Sequence, residues 1–291
     1  MVTRLIMVNA IVFIALVLIK VFSFNWTAQT DSSFYTALVE KYLALSPQWL
    51  EALMKPWTFI TYMFLHVGAW HMVWNMLVLY WFGRIVGDLI GDRRILPIYI
   101  MGGLFGGVVY LFASSLTGWT GGSMLLGASA GVMAIVMAAA STAPDYGMRL
   151  LILGDVRLKY IALAVVVMDL LGTTMGNSGG SFAHLGGALF GFLYVLNLKN
   201  GNNLGRPVEI VQEWIEDISS GKSRRSSRPK AKLKVAHRST LISSKKPDTS
   251  PAPKAAKSNT SVDKILDKIK ETGIDSLTKE ERDILDKASK G

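Results

Sequence analysis

The chain has 291 residues, no cysteine and a formal net charge of +10, and 51% of it is hydrophobic. A composition this apolar is rare in a soluble domain of this length, so spanning segments are the first expectation. The lack of cysteine excludes disulfides, thiolate metal sites and a cysteine nucleophile. The charge is unevenly spread: 21 Lys and Arg stand against 13 Asp and Glu from Lys199 onward, and 10 against 8 before it. In the basic tail no aromatic interleaves the basic stretch and no binding motif accompanies it, which argues against nucleic acid. A solvated arm drawn to an anionic lipid surface fits better.

Leu5–Phe24 is a nearly unbroken apolar run with Lys20 near its far end. At about 1.5 Å per residue it crosses a hydrocarbon core of roughly 30 Å. Its apolar part is too long for a signal peptide and no small-x-small cleavage site follows it, so it reads as the first span. Residues 25–68 form a long connection, too polar at first to span. Phe34–Met54 has helical spacing of apolar residues, and Pro56-Trp57 opens a short apolar helix. Trp57, Tyr62 and Trp70 suit a membrane–water boundary. The second span runs over Trp70–Val86 and the third over Ile95–Ser115, with Gly102, Gly103, Gly106 and Gly107 forming a small face for close packing. The fourth covers Ser129–Ala143, the fifth Leu158–Leu171 and the sixth Phe182–Leu198.

The loops around Arg84–Arg94 and Asp145–Lys159 and the tail are basic, while 116–128 and 172–183 carry no charge. The positive-inside rule then places both termini in the cytoplasm around six spans. No transit peptide precedes the first span, which points to a bacterial cytoplasmic membrane. Three regions result: a six-helix membrane domain over residues 1–198, a basic disordered linker over 199–261, and a short amphipathic helical hairpin over 262–291. Within the hairpin, Thr278-x-x-Glu281 has capping-box spacing.

With the N-terminus inside, spans two, four and six all descend from the outer face. His71 and Asn75 near the start of span two, Ser129 at the start of span four and His184 near the start of span six therefore share one depth. His71 and Asn75, four residues apart, lie on one helix face. A serine hydroxyl becomes a nucleophile when a neutral imidazole takes its proton. The resulting oxyanion needs donors, for which the Ser129 backbone N–H and the Asn75 and His71 side chains are candidates. Small neighbours Gly127, Ala128 and Ala130 let a peptide backbone approach. Taken alone, Gly-Ala-Ser-Ala-Gly reads as small-residue helix packing at least as readily. Asp169, the intramembrane carboxylate of span five, raises a proton-coupled transporter, but a satisfied structural role accounts for it better.

These residues carry a resemblance. His71-x-x-x-Asn75 preceded by His66, Gly127-Ala128-Ser129, and Ala183-His184-x-x-Gly187-x-x-x-Gly191 fall in the order and on the spans of the rhomboid intramembrane serine proteases. The chain resembles that family across residues 1–198. The resemblance implies an all-α six-transmembrane-helix rhomboid bundle with a long first loop lying partly in the outer leaflet. It implies Ser129 as nucleophile, His184 as general base with no third acidic member, and His71 and Asn75 serving the oxyanion. Gly187 and Gly191 would let span six pack on span four. Substrates would be single-span membrane proteins cut in or near the bilayer, without metal or organic cofactor. Ala130 and Met133 depart from the family's usual Gly and Tyr. The expectation is a serine endopeptidase; the rival is a non-catalytic rhomboid-like binder of membrane helices.

Overall fold

Apolar runs in lipid must satisfy their backbone polar groups internally, and each such run here is helical. The computed structural model describes residues 1–24, 33–117, 124–150, 154–174, 178–219, 260–273 and 276–289. The chain divides into two compact units, Met1–Ser226 and Ser227–Gly291.

The first unit is built on six apolar helices: α1 (Val2–Ser23), α2 (Ala69–Ile90), α3 (Ile95–Thr117), α4 (Ser129–Thr142), α5 (Leu158–Gly172) and α6 (Ser178–Lys199). Four of them, α1, α2, α3 and α6, contain stretches long and apolar enough to cross a bilayer. The protein is an all-α, multi-pass membrane protein. At 14 and 15 residues α4 and α5 are the short ones, α4 about 21 Å long against about 33 Å for the 22-residue helices. Helix α4 is buried on nearly every side, as an all-apolar helix at the centre of a bundle should be.

Close approach of α3, α4 and α6 follows from small residues. A Cβ built on Gly106 of α3 would lie 2.8 Å from Ala130 Cβ and 2.6 Å from the Ala183 carbonyl oxygen. On α6, a Cβ at Gly187 would run into the carbonyl oxygen of Ala130, and one at Gly191 into that of Ala134. Dispersion across such backbone-to-backbone contacts replaces the hydrophobic drive that lipid does not supply.

The long connection before α2 is folded onto the bundle. The Tyr62 hydroxyl donates to Gly103 O (2.7 Å), and the Tyr99 hydroxyl of α3 donates to Met63 O (2.9 Å). Leu45 and Leu125 exchange backbone hydrogen bonds of 3.0 and 2.9 Å, which ties this connection to the segment entering α4. Leu50, Leu53, Met54 and Trp57 are exposed, an apolar surface suited to a lipid leaflet. The short helix here is Thr58–Thr61, with Pro56 in the turn ahead of it, where the Thr58 N–H and hydroxyl both donate to Lys55 O.

Two features were not expected. Between α4 and α5, β1 (Gly147–Leu150) pairs antiparallel with β2 (Gly154–Arg157). Asp145 at its base accepts from Arg157 (3.1 Å) and Lys159 (2.7 Å), which keeps its carboxyl below the usual carboxylate range. The expected linker from 199 is corrected over α7 (Arg206–Ser219), which is helical. Its Ile210, Val211, Trp214, Ile215 and Ile218 are exposed, while Arg206 pairs with Glu213 (3.0 Å) and Arg93 with Glu216 (3.5 Å). Counting charges hid this two-sided pattern of an apolar and an acidic face. The remainder of that expected linker, 220–259, lies outside the described residues.

In the second unit α8 (Thr260–Thr272) and α9 (Lys279–Ser289) are tied by Lys268 Nζ to Glu281 at 2.8 Å. The Thr278 N–H donates to the Glu281 carboxylate (2.9 Å) and the Glu281 N–H to Thr278 Oγ1 (3.4 Å), the reciprocal pair of a capping box.

Candidate active site

The chain enters α4 through the segment around Leu125, which is paired to Leu45, and Ser129 is the first residue of the helix. Seven residues into α2 and α6, about 9 Å along each helix, stand Asn75 and His184. Asp169 is three residues from the end of α5, which runs the opposite way. Four helices thus bring their polar side chains to one level.

The central contact joins α4 and α6. The Ser129 hydroxyl lies 2.6 Å from His184 Nε2, a hydrogen bond donated by the hydroxyl. The other ring nitrogen, Nδ1, lies 2.8 Å from Asp169 Oδ1. His184 and Asp169 are 23% and 14% exposed, so the chain of three groups is largely shielded. The absence of a third acidic member is corrected here: a carboxylate stands on the imidazole. Asp169 was readable as a neighbour of His184. The two lie on either side of a short α5–α6 connection, so an antiparallel pair of helices sets them at nearly the same height. Which way each side chain pointed was not readable, because that depends on how the helices rotate to pack.

Gly127 precedes the site with φ of +132°, a conformation open to glycine and strained for other residues. A Cβ there would lie 3.1 Å from His71 Cε1 and 3.4 Å from Ser129 Oγ, so the glycine is what lets those two side chains flank the backbone. Its N–H donates to Tyr62 O at 2.9 Å. Asn75 is buried, and its amide nitrogen donates to His71 O one turn back (2.9 Å). The first-turn N–H groups of α4, Ser129 among them, are the kind of unpaired donors that favour a developing negative charge.

His71, Asn75, Ser129, Asp169 and His184 all line one cavity of about 540 Å³ between α2, α4, α5 and α6. The rest of its wall is mostly apolar, with Trp74, Phe82, Met133 and Met168 among the side chains. Met133, one turn along α4 from Ser129, faces this space. Beside it, His66 is buried and stacks edge-on to His71 at 5.5 Å between ring centres, as it does to Phe13 at 6.4 Å.

A Rhomboid domain model matches residues 54–200, and a model of a family of unknown function matches 254–291. Presenilin-associated rhomboid-like protein A, mitochondrial, of Danio rerio is 33% identical over 135 residues, covering 45% of this chain and 35% of that protein. Its Homo sapiens counterpart, named presenilin-associated rhomboid-like protein, mitochondrial, is 32% identical over 137 residues, with the same coverage of 45% and 35%. RHOMBOID-like protein 12, mitochondrial, of Arabidopsis thaliana is 31% identical over 157 residues, covering 50% of this chain and 47% of that protein. The matches thus span less than half the length of each of these relatives. Their mitochondrial names overturn the expectation of a bacterial cytoplasmic membrane. That expectation rested on seeing no transit-peptide pattern before the first span, which does not identify the membrane, and charge asymmetry across loops reports sidedness alone; the multi-pass membrane character stands.

Proposed function

The chain belongs to the rhomboid family, and from that premise we propose that it is a serine endopeptidase cutting transmembrane segments within the bilayer. The observation that carries the reading is the 2.6 Å hydrogen bond from Ser129 to His184 on the wall of a mostly apolar cavity. Ser129 Oγ attacks the scissile carbonyl carbon as His184 Nε2 takes the hydroxyl proton. The carbonyl oxygen becomes an oxyanion, supported by the Ser129 backbone N–H and the side chains of Asn75 and His71. Each such donor is worth about two to three orders of magnitude in rate. The imidazolium then returns its proton to the leaving amine as the C–N bond breaks, leaving an ester on Ser129. Water, deprotonated by the same imidazole, hydrolyses the ester.

The apolar wall suits a substrate that is itself a membrane helix, opened locally where it meets the polar groups. Single-span membrane proteins are the substrate class, and the lipid bilayer is the medium in which they arrive.

A non-catalytic binder of membrane helices is the second reading. The names of the three relatives above favour it, since each says rhomboid-like and none states an enzymatic activity. One experiment separates the two: purified protein in proteoliposomes, a fluorescent transmembrane peptide, and a fluorophosphonate probe with peptide mapping. The protease reading expects cleavage, a label on Ser129, and loss of both in Ser129→Ala and His184→Ala. Saturable peptide binding with neither cleavage nor label would establish the binder.

A further inference from the structure

We infer that Asp169 is a positioning residue for His184, so that the site works as a Ser–His–Asp chain of hydrogen bonds rather than a pair. The inference deepens the protease reading and rests on it.

A neutral imidazole carries one ring proton, and which nitrogen holds it decides whether the ring can act as a base toward Ser129. A carboxylate only accepts. Its Oδ1 at 2.8 Å from Nδ1 therefore requires the proton on Nδ1, which leaves the Nε2 lone pair facing the Ser129 hydroxyl at 2.6 Å. Two hydrogen bonds on opposite edges also fix the rotation of the ring. Met133, one turn along α4 from Ser129, lines the same cavity without a polar group to hold it, so orientation falls to the carboxylate. When Nε2 takes the Ser129 proton, the positive charge of the imidazolium develops beside Asp169 and stays there until the proton passes to the leaving amine.

The placement is costly for any lesser role. Asp169 is the one charged residue of α5 beyond Lys159, in a segment otherwise made of apolar and small residues. Its Oδ2 is buried with no hydrogen-bond partner among the described residues. A carboxylate in such a setting is retained for what it faces, which is the ring nitrogen that Ser129 does not use.

The tautomer argument predicts an unusual ranking of variants. In Asp169→Asn, turning the amide oxygen toward Nδ1 would strand two N–H donors where Oδ2 already lacks a partner. The amide therefore turns its NH2 toward Nδ1, which pushes the ring proton onto Nε2 and removes the base. In Asp169→Ala the ring is free to take either tautomer. A structural tie between helices predicts the opposite order, since Asn keeps shape and hydrogen bonding and Ala keeps neither.

The test measures cleavage of a fluorescent transmembrane peptide by the full chain in proteoliposomes, together with the proton NMR spectrum of histidine-labelled protein. Expected are a fall in kcat of about 10²–10⁴-fold in Asp169→Asn with KM little changed, a smaller fall in Asp169→Ala, and partial recovery in Asp169→Glu. A low-field Nδ1–H resonance should be present in the wild type and absent from the Asn and Ala variants. Full kcat in Asp169→Asn, or an Asn variant milder than Ala, or no low-field resonance in the wild type, overturns the inference while leaving a cleaving enzyme. A wild type that never cleaves, matched by Ser129→Ala, overturns this inference together with the protease reading.

Discussion

Replacing Gly187 by alanine tests whether helix approach sets the catalytic distance. The added Cβ would lie 2.8 Å from the carbonyl carbon of Ala130 and 3.2 Å from its Cα, with the carbonyl oxygen nearer still. All three are backbone atoms of α4, so no side chain can rotate out of the way and α6 must retreat. Restoring carbon contacts of about 3.5 Å or more takes a displacement on the order of 1 Å. His184 lies three residues before Gly187 and Ser129 is the neighbour of Ala130, so the separation falls directly on their 2.6 Å hydrogen bond. Stretched to about 3.5 Å, that bond is lost. A misplacement of this size costs about 10²-fold in rate, and the overpacking about 1–3 kcal/mol of stability. The assay is peptide cleavage and the rate of fluorophosphonate labelling in proteoliposomes, with a thermal melt of the same samples. Gly68→Ala is the control, since nothing lies within 4 Å of a Cβ there. If Gly187→Ala cleaves, labels and melts like the wild type, the contact between α4 and α6 does not set the geometry and the reasoning fails.

Gly127→Ala should slow labelling of Ser129 at least tenfold, because φ of +132° and the 3.1 Å approach to His71 leave no relaxed place for a methyl; unchanged labelling would remove the glycine from the site. Acid should destabilise the protein through His66, which burial, and then the charge of His71, hold down to about 4. The unfolded chain takes up that proton near the ordinary value of about 6.5, so stability is full above about 6.5 and falls as pH drops toward 4, by about 3 kcal/mol at most. His66→Phe should flatten that part of a melting-temperature profile between pH 7.5 and 4.5; an unchanged slope would assign it to other groups. Thr278→Ala should remove one side of the capping box and weaken the start of α9 by about 1 kcal/mol, read as roughly fivefold faster hydrogen exchange of the Glu281 amide, which donates to Thr278 Oγ1.

What could be read from the chain in one dimension was what depends on local pattern. Lipid forces an apolar run to close its own hydrogen bonds, so hydropathy alone located six helices. Their alternation then set His71, Asn75, Ser129 and His184 at one end of the bundle. Spacing also announced the capping box at Thr278, while the glycine face by which α6 meets α4 came from the family resemblance. The paired strands after α4 are four residues each and carry no repeat long enough to register. Helix α7 was hidden because its charges were counted as tail and its apolar face was not. Asp169 is the sharpest case. Its residue type and height were both visible, yet its contact with His184 depends on the rotation of α5 against α6. That rotation is chosen by side-chain packing over the whole interface, at a resolution of a few ångströms that a linear pattern does not contain. The sequence by itself determined which groups lie at the same depth, and only the tertiary structure decided which of them touch.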